Sequence, residues 1–462
     1  MEELNNHIPW QVTKYEEMAK TNDAVYFDVD DFEEVIDHYV IRGQYKEAFE
    51  VTSYGVALHP GSVPLMLKQA QLLATFNQEN DALSLLASVE RLEPTNYDIY
   101  LTRGAIYSQM QNYQKAIEEY NKAVAGADDP DYVYCNIAIE YENLGNFDKT
   151  LEYLDKALKV NPNNDLAIYE AAYCFDLLSL TDEGITFFQK LIDRNPYSTE
   201  AWFNLGVSYI NAGLYEKALE ALEYSIAIDH EHEHSWFHKG YALSLLDRHH
   251  EAIGAYEASM TEGDTDAMKL YYIGECHEKL EDYQKAITFY TRCSQVDPQM
   301  ADAWVGIGVC EIEMGNTKKA LKFLKHGLAL DTENISYLCL LANTYFLLHE
   351  FELAKETYET ALEKDPADEE TWLEYAEALS GMKEFEHARK VLVNAMDLHP
   401  ERNAILYAMA AILFLGEKPD QGVFCLEEAF AKDEEGLETL IKRFPKLKEN
   451  NHFMDALENL RV

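Results

Sequence analysis

Four of the chain's five tryptophans obey one spacing. Trp202, Trp236, Trp304 and Trp372 lie 34, 68 and 68 residues apart, all multiples of 34. Self-similarity at such a period signals one small supersecondary unit used many times over, not an ordinary globular domain. A 34-residue frame fits twelve units with no insertion or deletion, beginning at residues 29, 63, 97, 131, 165, 199, 233, 267, 301, 335, 369 and 403.

Each column of that frame has a chemistry. Position 4 is bulky in every repeat, from Phe32 and Met66 to Trp372 and Leu406. Position 8 is small in eleven of twelve, Ile36 being the exception, and position 20 is Ala, Gly or Thr throughout. Proline closes seven repeats: Pro60, Pro94, Pro162, Pro196, Pro298, Pro366 and Pro400. Positions 4, 7, 8 and 11 make the i, i+3, i+4, i+7 stripe of one helix. Positions 20, 24 and 27 make the stripe of a second. Small residues at 8 and 20 let the two backbones approach closely, and a proline at 32 stops the second helix. One such hairpin cannot bury its stripe alone, so neighbours must stack.

Composition fits a soluble, folded, helical chain. Of its 462 residues 47% are hydrophobic, while glycine and proline number only 21 and 12. The 83 acidic against 38 basic residues give a formal charge of −45, which repels nucleic acid and anionic membrane surfaces. No apolar run approaches the ~18 residues needed to span a bilayer. Glu2 and Glu3 stand where a secretory signal carries positive charge. Seven scattered cysteines without a CxxC pair read as reduced thiols, so a cytoplasmic location is expected.

The pattern Trp202-x2-Leu205-Gly206-x2-Tyr209, then Ala218-x3-Leu222, resembles the tetratricopeptide repeat almost position for position, and the likeness runs from residue 29 to about 436. Departures gather at the ends: Ile36 and Thr52 in repeat 1, Pro419 and Gly422 in repeat 12. The resemblance implies an all-α, right-handed α-solenoid superhelix of stacked antiparallel helix pairs. Three segments are expected: an N-terminal extension over 1–28 with one helix around Val12 to Ala19, twelve repeats over 29–436, and capping helices over 437–462. Repeats 3 and 7 lack the closing proline and carry Gly126–Pro130 and Gly263–Asp266 instead, links that read as different turns or as points of flex.

In this family positions 2, 5, 6, 9 and 12 to 13 face an inner groove that holds an extended peptide or a partner helix. Here they supply Tyr132, Asn136, Tyr169, Tyr173, Phe203, Asn204, Phe237, Tyr241 and Tyr271 between repeats 4 and 8. Tyrosine and phenylalanine left outside the internal stripe suit partner anchoring, and asparagine can clamp a peptide backbone. The competing reading packs these rings on neighbouring helices. The family's clamp for a chaperone's C-terminal carboxylate needs several lysines and arginines, whereas position 2 holds no lysine and position 6 offers only Lys68 of those types. The expected partner is therefore another protein, neutral to basic, with apolar anchors. His234 and His238, spaced i, i+4, have the separation of a zinc-ligating pair, but no third ligand stands at a fixed spacing and no metal is assigned. Phosphate-binding loops, GxSxG and HExxH are missing, so neither cofactor nor enzyme activity is expected. The resulting expectation is a cytoplasmic interaction scaffold with repeats of the bacterial type. A regulatory sensor, whose groove binds a small peptide or metal and changes superhelical pitch, is the alternative.

Overall fold

The computed structural model describes residues 9–21, 25–261 and 265–460, and every regular element among them is helical. Contacts divide the chain into two compact halves, Met1–Ser235 and Trp236–Val462.

The N-terminal half opens with α1 (Trp10–Thr21) and continues as antiparallel pairs: α2 (Val29–Ile41) with α3 (Tyr45–Leu58), α4 (Val63–Thr75) with α5 (Glu79–Leu92), α6 (Tyr97–Gln109) with α7 (Tyr113–Val124), α8 (Pro130–Asn143) with α9 (Phe147–Val160), α10 (Asp165–Leu177) with α11 (Thr181–Arg194), and α12 (Thr199–Asn211) with α13 (Tyr215–Ile228). Each pair is one repeat of the sequence frame. Asp28 starts α2 with a capping box, its carboxylate accepting from the Asp31 amide at 2.8 Å. Ile36 and Thr52, the two departures of repeat 1, exchange sizes: both are buried, and the Thr52 hydroxyl donates to the Ala48 carbonyl at 2.6 Å.

The division between the halves falls within α14 (Glu233–Leu245). The C-terminal half continues with α15 (His249–Ala258), then pairs α16 (Ala267–Lys279) with α17 (Tyr283–Val296), α18 (Ala301–Glu313) with α19 (Thr317–Leu330), α20 (Ile335–Leu347) with α21 (Phe351–Lys364), α22 (Glu369–Gly381) with α23 (Phe385–Leu398), and α24 (Asn403–Leu415) with α25 (Pro419–Lys432). It ends in α26 (Gly436–Arg443), a 3-10 turn over Pro445–Glu449, and α27 (Asn451–Leu460).

Three columns explain why the chain turns where it does. The residue at position 15 of every repeat adopts a left-handed backbone, from Gly43 at φ +70° to Glu417 at +61°, and only four of the twelve are glycine. In repeat 4 the Gly145 amide returns to the Glu142 carbonyl and the Asn146 amide to the Tyr141 carbonyl, which satisfies the last orphan carbonyls of α8. Position 34 caps the next repeat: Ser62, Asn96, Asn164, Ser198, Asp266, Asn334 and Asp368 each accept from an amide of the first turn that follows. At position 8 the small residue makes room for position 24. A Cβ on Gly206 would lie 2.7 Å from Leu222, and one on Gly274 would lie 2.8 Å from the Tyr290 ring. The hairpin therefore closes around its own glycine.

Helices α7 and α15 end short of their counterparts, at Val124 and Ala258, in the two repeats that lack a proline and carry the glycine links. Gly263 and Asp264 of the second link lie outside the described residues. No helix among the described residues is long and apolar enough to cross a membrane.

Candidate partner-binding surfaces

The first helix of each repeat presents two kinds of surface. Positions 4, 8 and 11 turn inward to their own hairpin. Side chains at positions 2, 5, 6, 9 and 13 line cavities in repeats 1 to 4 of the N-terminal half and in repeats 7 to 9 of the C-terminal half.

In the N-terminal half one cavity of about 540 Å³ runs over α2, α4, α6 and α8. Its walls include Lys68, Gln71, Asp98, Thr102, Tyr132 and Asn136, so two of the sequence candidates meet there. Burial pushes the Asp98 carboxyl above its ordinary range. Tyr169, Tyr132 and Tyr173 are 67%, 57% and 45% exposed, large values for rings outside any core. Phe203 is half-buried instead, with its ring 5.2 Å from the His232 imidazole and 6.2 Å from that of His234. Asn204 donates its amide to the Glu200 carbonyl one turn back at 2.8 Å, which ties the side chain to its own helix.

His232, which the sequence reading passed over, is the organising polar residue here. It occupies the cap position that asparagine, serine or aspartate fills elsewhere, and its Nδ1 accepts from the Ser235 amide at 3.3 Å. The Ser235 hydroxyl lies 2.7 Å from that same nitrogen and 2.7 Å from the Ser225 hydroxyl, which donates to the Thr199 carbonyl at 3.0 Å. With Nδ1 accepting, Nε2 carries the proton toward Glu200 at 3.1 Å. A serine, an imidazole and a carboxylate in a row resemble hydrolytic machinery. Both serines are fully buried, however, so no substrate reaches either hydroxyl. The row caps a helix. The signal was legible as the column of capping residues at position 34.

In the C-terminal half a cavity of about 520 Å³ lies among α14, α16 and α18. Tyr241 and Tyr271 meet there with Tyr272, Met268, Glu275 and Asp302. Tyr241 and Tyr272 stand 5.8 Å apart at 65°, Tyr271 and Tyr272 5.5 Å apart at 72°. Phe237 is half-buried and packs beside this cluster, 5.5 Å from Tyr256 and 5.6 Å from Tyr272. Burial, then the neighbouring charges of Glu278 and Asp302, push the Glu275 carboxyl upward.

A second surface of this half is filled by the chain itself. Helix α24 is buried on nearly all sides, including Tyr407, Ala408 and Ala411 at positions 5, 6 and 9 of repeat 12. Leu437, Leu440 and Phe444 of the tail join the same core, and the Phe414 and Phe453 rings meet at 5.4 Å. One turn of α26 carries Arg443 onto α22, where its guanidinium pairs with Glu370 and stands 3.9 Å from Glu377. A cavity of about 540 Å³ adjoins this contact, lined by Glu370, Glu374, Glu377, Arg443 and Lys446 among others.

His234 and His238 are exposed and half-buried, respectively. Among the described residues no three histidine, cysteine, aspartate or glutamate side chains group as a metal site.

Comparison with known proteins locates the repeat independently. Models described as tetratricopeptide repeat match residues 97–125, 132–164, 187–220, 279–343 and 345–412. The human protein O-mannosyl-transferase TMTC1 is 31% identical over 86 residues, 19% of this chain. The chain spans 10% of that protein's length. Among solved structures, the crystal structure of the APC/C hetero-tetramer Cut9-Hcn1 aligns at a TM-score of 0.43 and 14% identity, covering 84% of this chain and 90% of that one.

Proposed function

The chain belongs to the tetratricopeptide repeat family, and from that premise we propose that it is a non-enzymatic scaffold, cytoplasmic, that binds protein partners on the first helices of its repeats. The observation that carries the reading is positional. In both halves the side chains at positions 2, 5, 6 and 9 line cavities of about 500 Å³, while glycines at position 8 are closed against position 24 of their own hairpin. Such a division leaves large aromatic area, above all Tyr132 and Tyr169, with no internal role. Exposed rings of this kind anchor partners at small entropic cost.

Charge selects among partners. A surface at −45 accelerates encounter with basic proteins and suppresses acidic ones. Segments 1–28 and 437–462 flank the binding array in this reading, the second acting as its cap. The test combines Tyr169→Ala with Phe203→Ala. Binding of proteins that the wild type captures should weaken, with the melting transition nearly unchanged. Equal loss of fold and capture would assign the rings to the core and remove the reading.

A further inference from the structure

The cavity among α14, α16 and α18 has a composition that points to one ligand chemistry. Three tyrosine rings line it, with Tyr272 at steep angles to both Tyr241 and Tyr271. Two methionines, Met268 and Met300, complete the soft wall. The carboxylates of Glu275 and Asp302 also line it. Asp302 accepts from the Tyr337 hydroxyl at 2.5 Å, whereas Glu275 has no hydrogen-bond or ion-pair partner among the described residues. The other charged groups on the wall are Lys279, Asp247 and His249, of which the last two stand 3.7 Å apart. Aromatic faces attract cations through their quadrupole, and the half-buried Glu275 carboxylate, which feels the Lys279 charge one turn along α16 but makes no close ion pair with it, favours the same sign.

The same protein already seats a cation in this register. Glu370, Glu374 and Glu377 occupy positions 2, 6 and 9 of repeat 11, and the Arg443 guanidinium lies against the first and last of them. Met268, Tyr272 and Glu275 occupy positions 2, 6 and 9 of repeat 8, where no residue of the tail is present in the wall. We propose that the Tyr241–Tyr271–Tyr272–Glu275 cavity receives a lysine or arginine side chain of a protein partner. Its charged head lies on the tyrosine faces and against Glu275, and its methylene stem lies along Met268 and Met300. The proposal rests on the scaffold reading and names the partner's chemistry.

The experiment needs no partner. Full-length protein carrying 13C-methyl methionine is titrated with N-acetyl-arginine amide, N-acetyl-lysine amide and the uncharged N-acetyl-norleucine amide, at constant ionic strength. Saturable shifts of the Met268 and Met300 methyl signals are expected with the two cations and not with norleucine. Glu275→Gln should weaken them about tenfold, and Tyr241→Leu comparably. Tyr272→Leu risks the packing on Tyr256, so the mild Glu275→Gln variant carries the decision. Equal response to norleucine, no response to any probe, or indifference to Glu275→Gln would each overturn the proposal. Capture that still depends on Tyr169 and Phe203 would then leave the scaffold reading standing.

Discussion

The indole of Trp202 donates through Nε1 to the backbone carbonyl of Pro196, 2.9 Å away, and so ties the start of one repeat to the end of the one before it. The contact recurs as Trp304 to Pro298 at 3.1 Å, Trp372 to Pro366 at 2.9 Å, and Tyr100 to Pro94 through its hydroxyl at 3.1 Å. The bulky fourth column and the closing proline are thus one device. A carbonyl left open where proline stops a helix is satisfied by a ring six residues later.

That device can be separated from simple packing. Trp202 also stacks on Tyr224, with centroids 4.5 Å apart at 24°. Trp202→Phe keeps most of the stack and loses the hydrogen bond, which should lower stability by about 1 kcal/mol. Trp202→Ala loses both and should cost about 3 kcal/mol, the low end for a large ring because this one is half-buried. Urea unfolding of the two variants checks the difference. An undiminished stability of Trp202→Phe would deny the hydrogen bond any role.

Turn geometry supplies a stabilising prediction. Lys383 and Glu281 hold φ at +66° and +58°, where an L side chain is strained and glycine is not. Lys383→Gly or Glu281→Gly should raise stability by about 0.5–1 kcal/mol despite the added freedom of the unfolded chain. A fall in the urea midpoint would show that these side chains hold contacts that outweigh the strain.

Close packing at position 8 predicts the opposite sign. Gly274→Val would drive new methyls into the Tyr290 ring, which a single Cβ would already approach to 2.8 Å. Tyr290 is fully buried and donates to Glu278 at 2.8 Å, so it has little room to yield. A loss of about 2 kcal/mol is expected, read as a lower melting temperature.

Acidity should have a measurable signature. Burial is the first cause raising the carboxyls of Glu275, Glu278, Glu374 and Glu377 above the ordinary 4.5. A group that binds its proton more tightly when folded stabilises the fold most below its ordinary value, and that stability is lost as pH rises past it. Melting temperature at fixed ionic strength should therefore rise as pH falls from 8 toward 5. Glu278→Gln, which keeps an oxygen for Tyr290 to donate to, should flatten the curve. An unchanged slope would remove Glu278 from the account.

The period, the hairpins and the tight column at position 8 were legible because each repeats in identical register, so twelve weak signals add. The turns were not, since position 15 is glycine in only four repeats and otherwise serine, histidine, lysine or another residue whose type hides its backbone. His232 was missed for a related reason. A histidine run drew attention to His234 and His238 on helical spacing, while the capping role lay two residues before His234, where a histidine stands in for asparagine. The tail was expected to cover the last hairpin's apolar face. Arg443 reaching α22 from 73 residues away is a tertiary pairing that no local pattern encodes.

The most direct test places a photo-crosslinking phenylalanine analogue at Tyr169 or Tyr132, on the first helices, and at Phe424 of α25, which is 67% exposed. Irradiation in cells that express the protein should yield discrete crosslinks to protein from positions 169 and 132 and few from 424. Crosslinks concentrated at 424, with 169 and 132 silent, would contradict a scaffold that works through the first helices of its repeats.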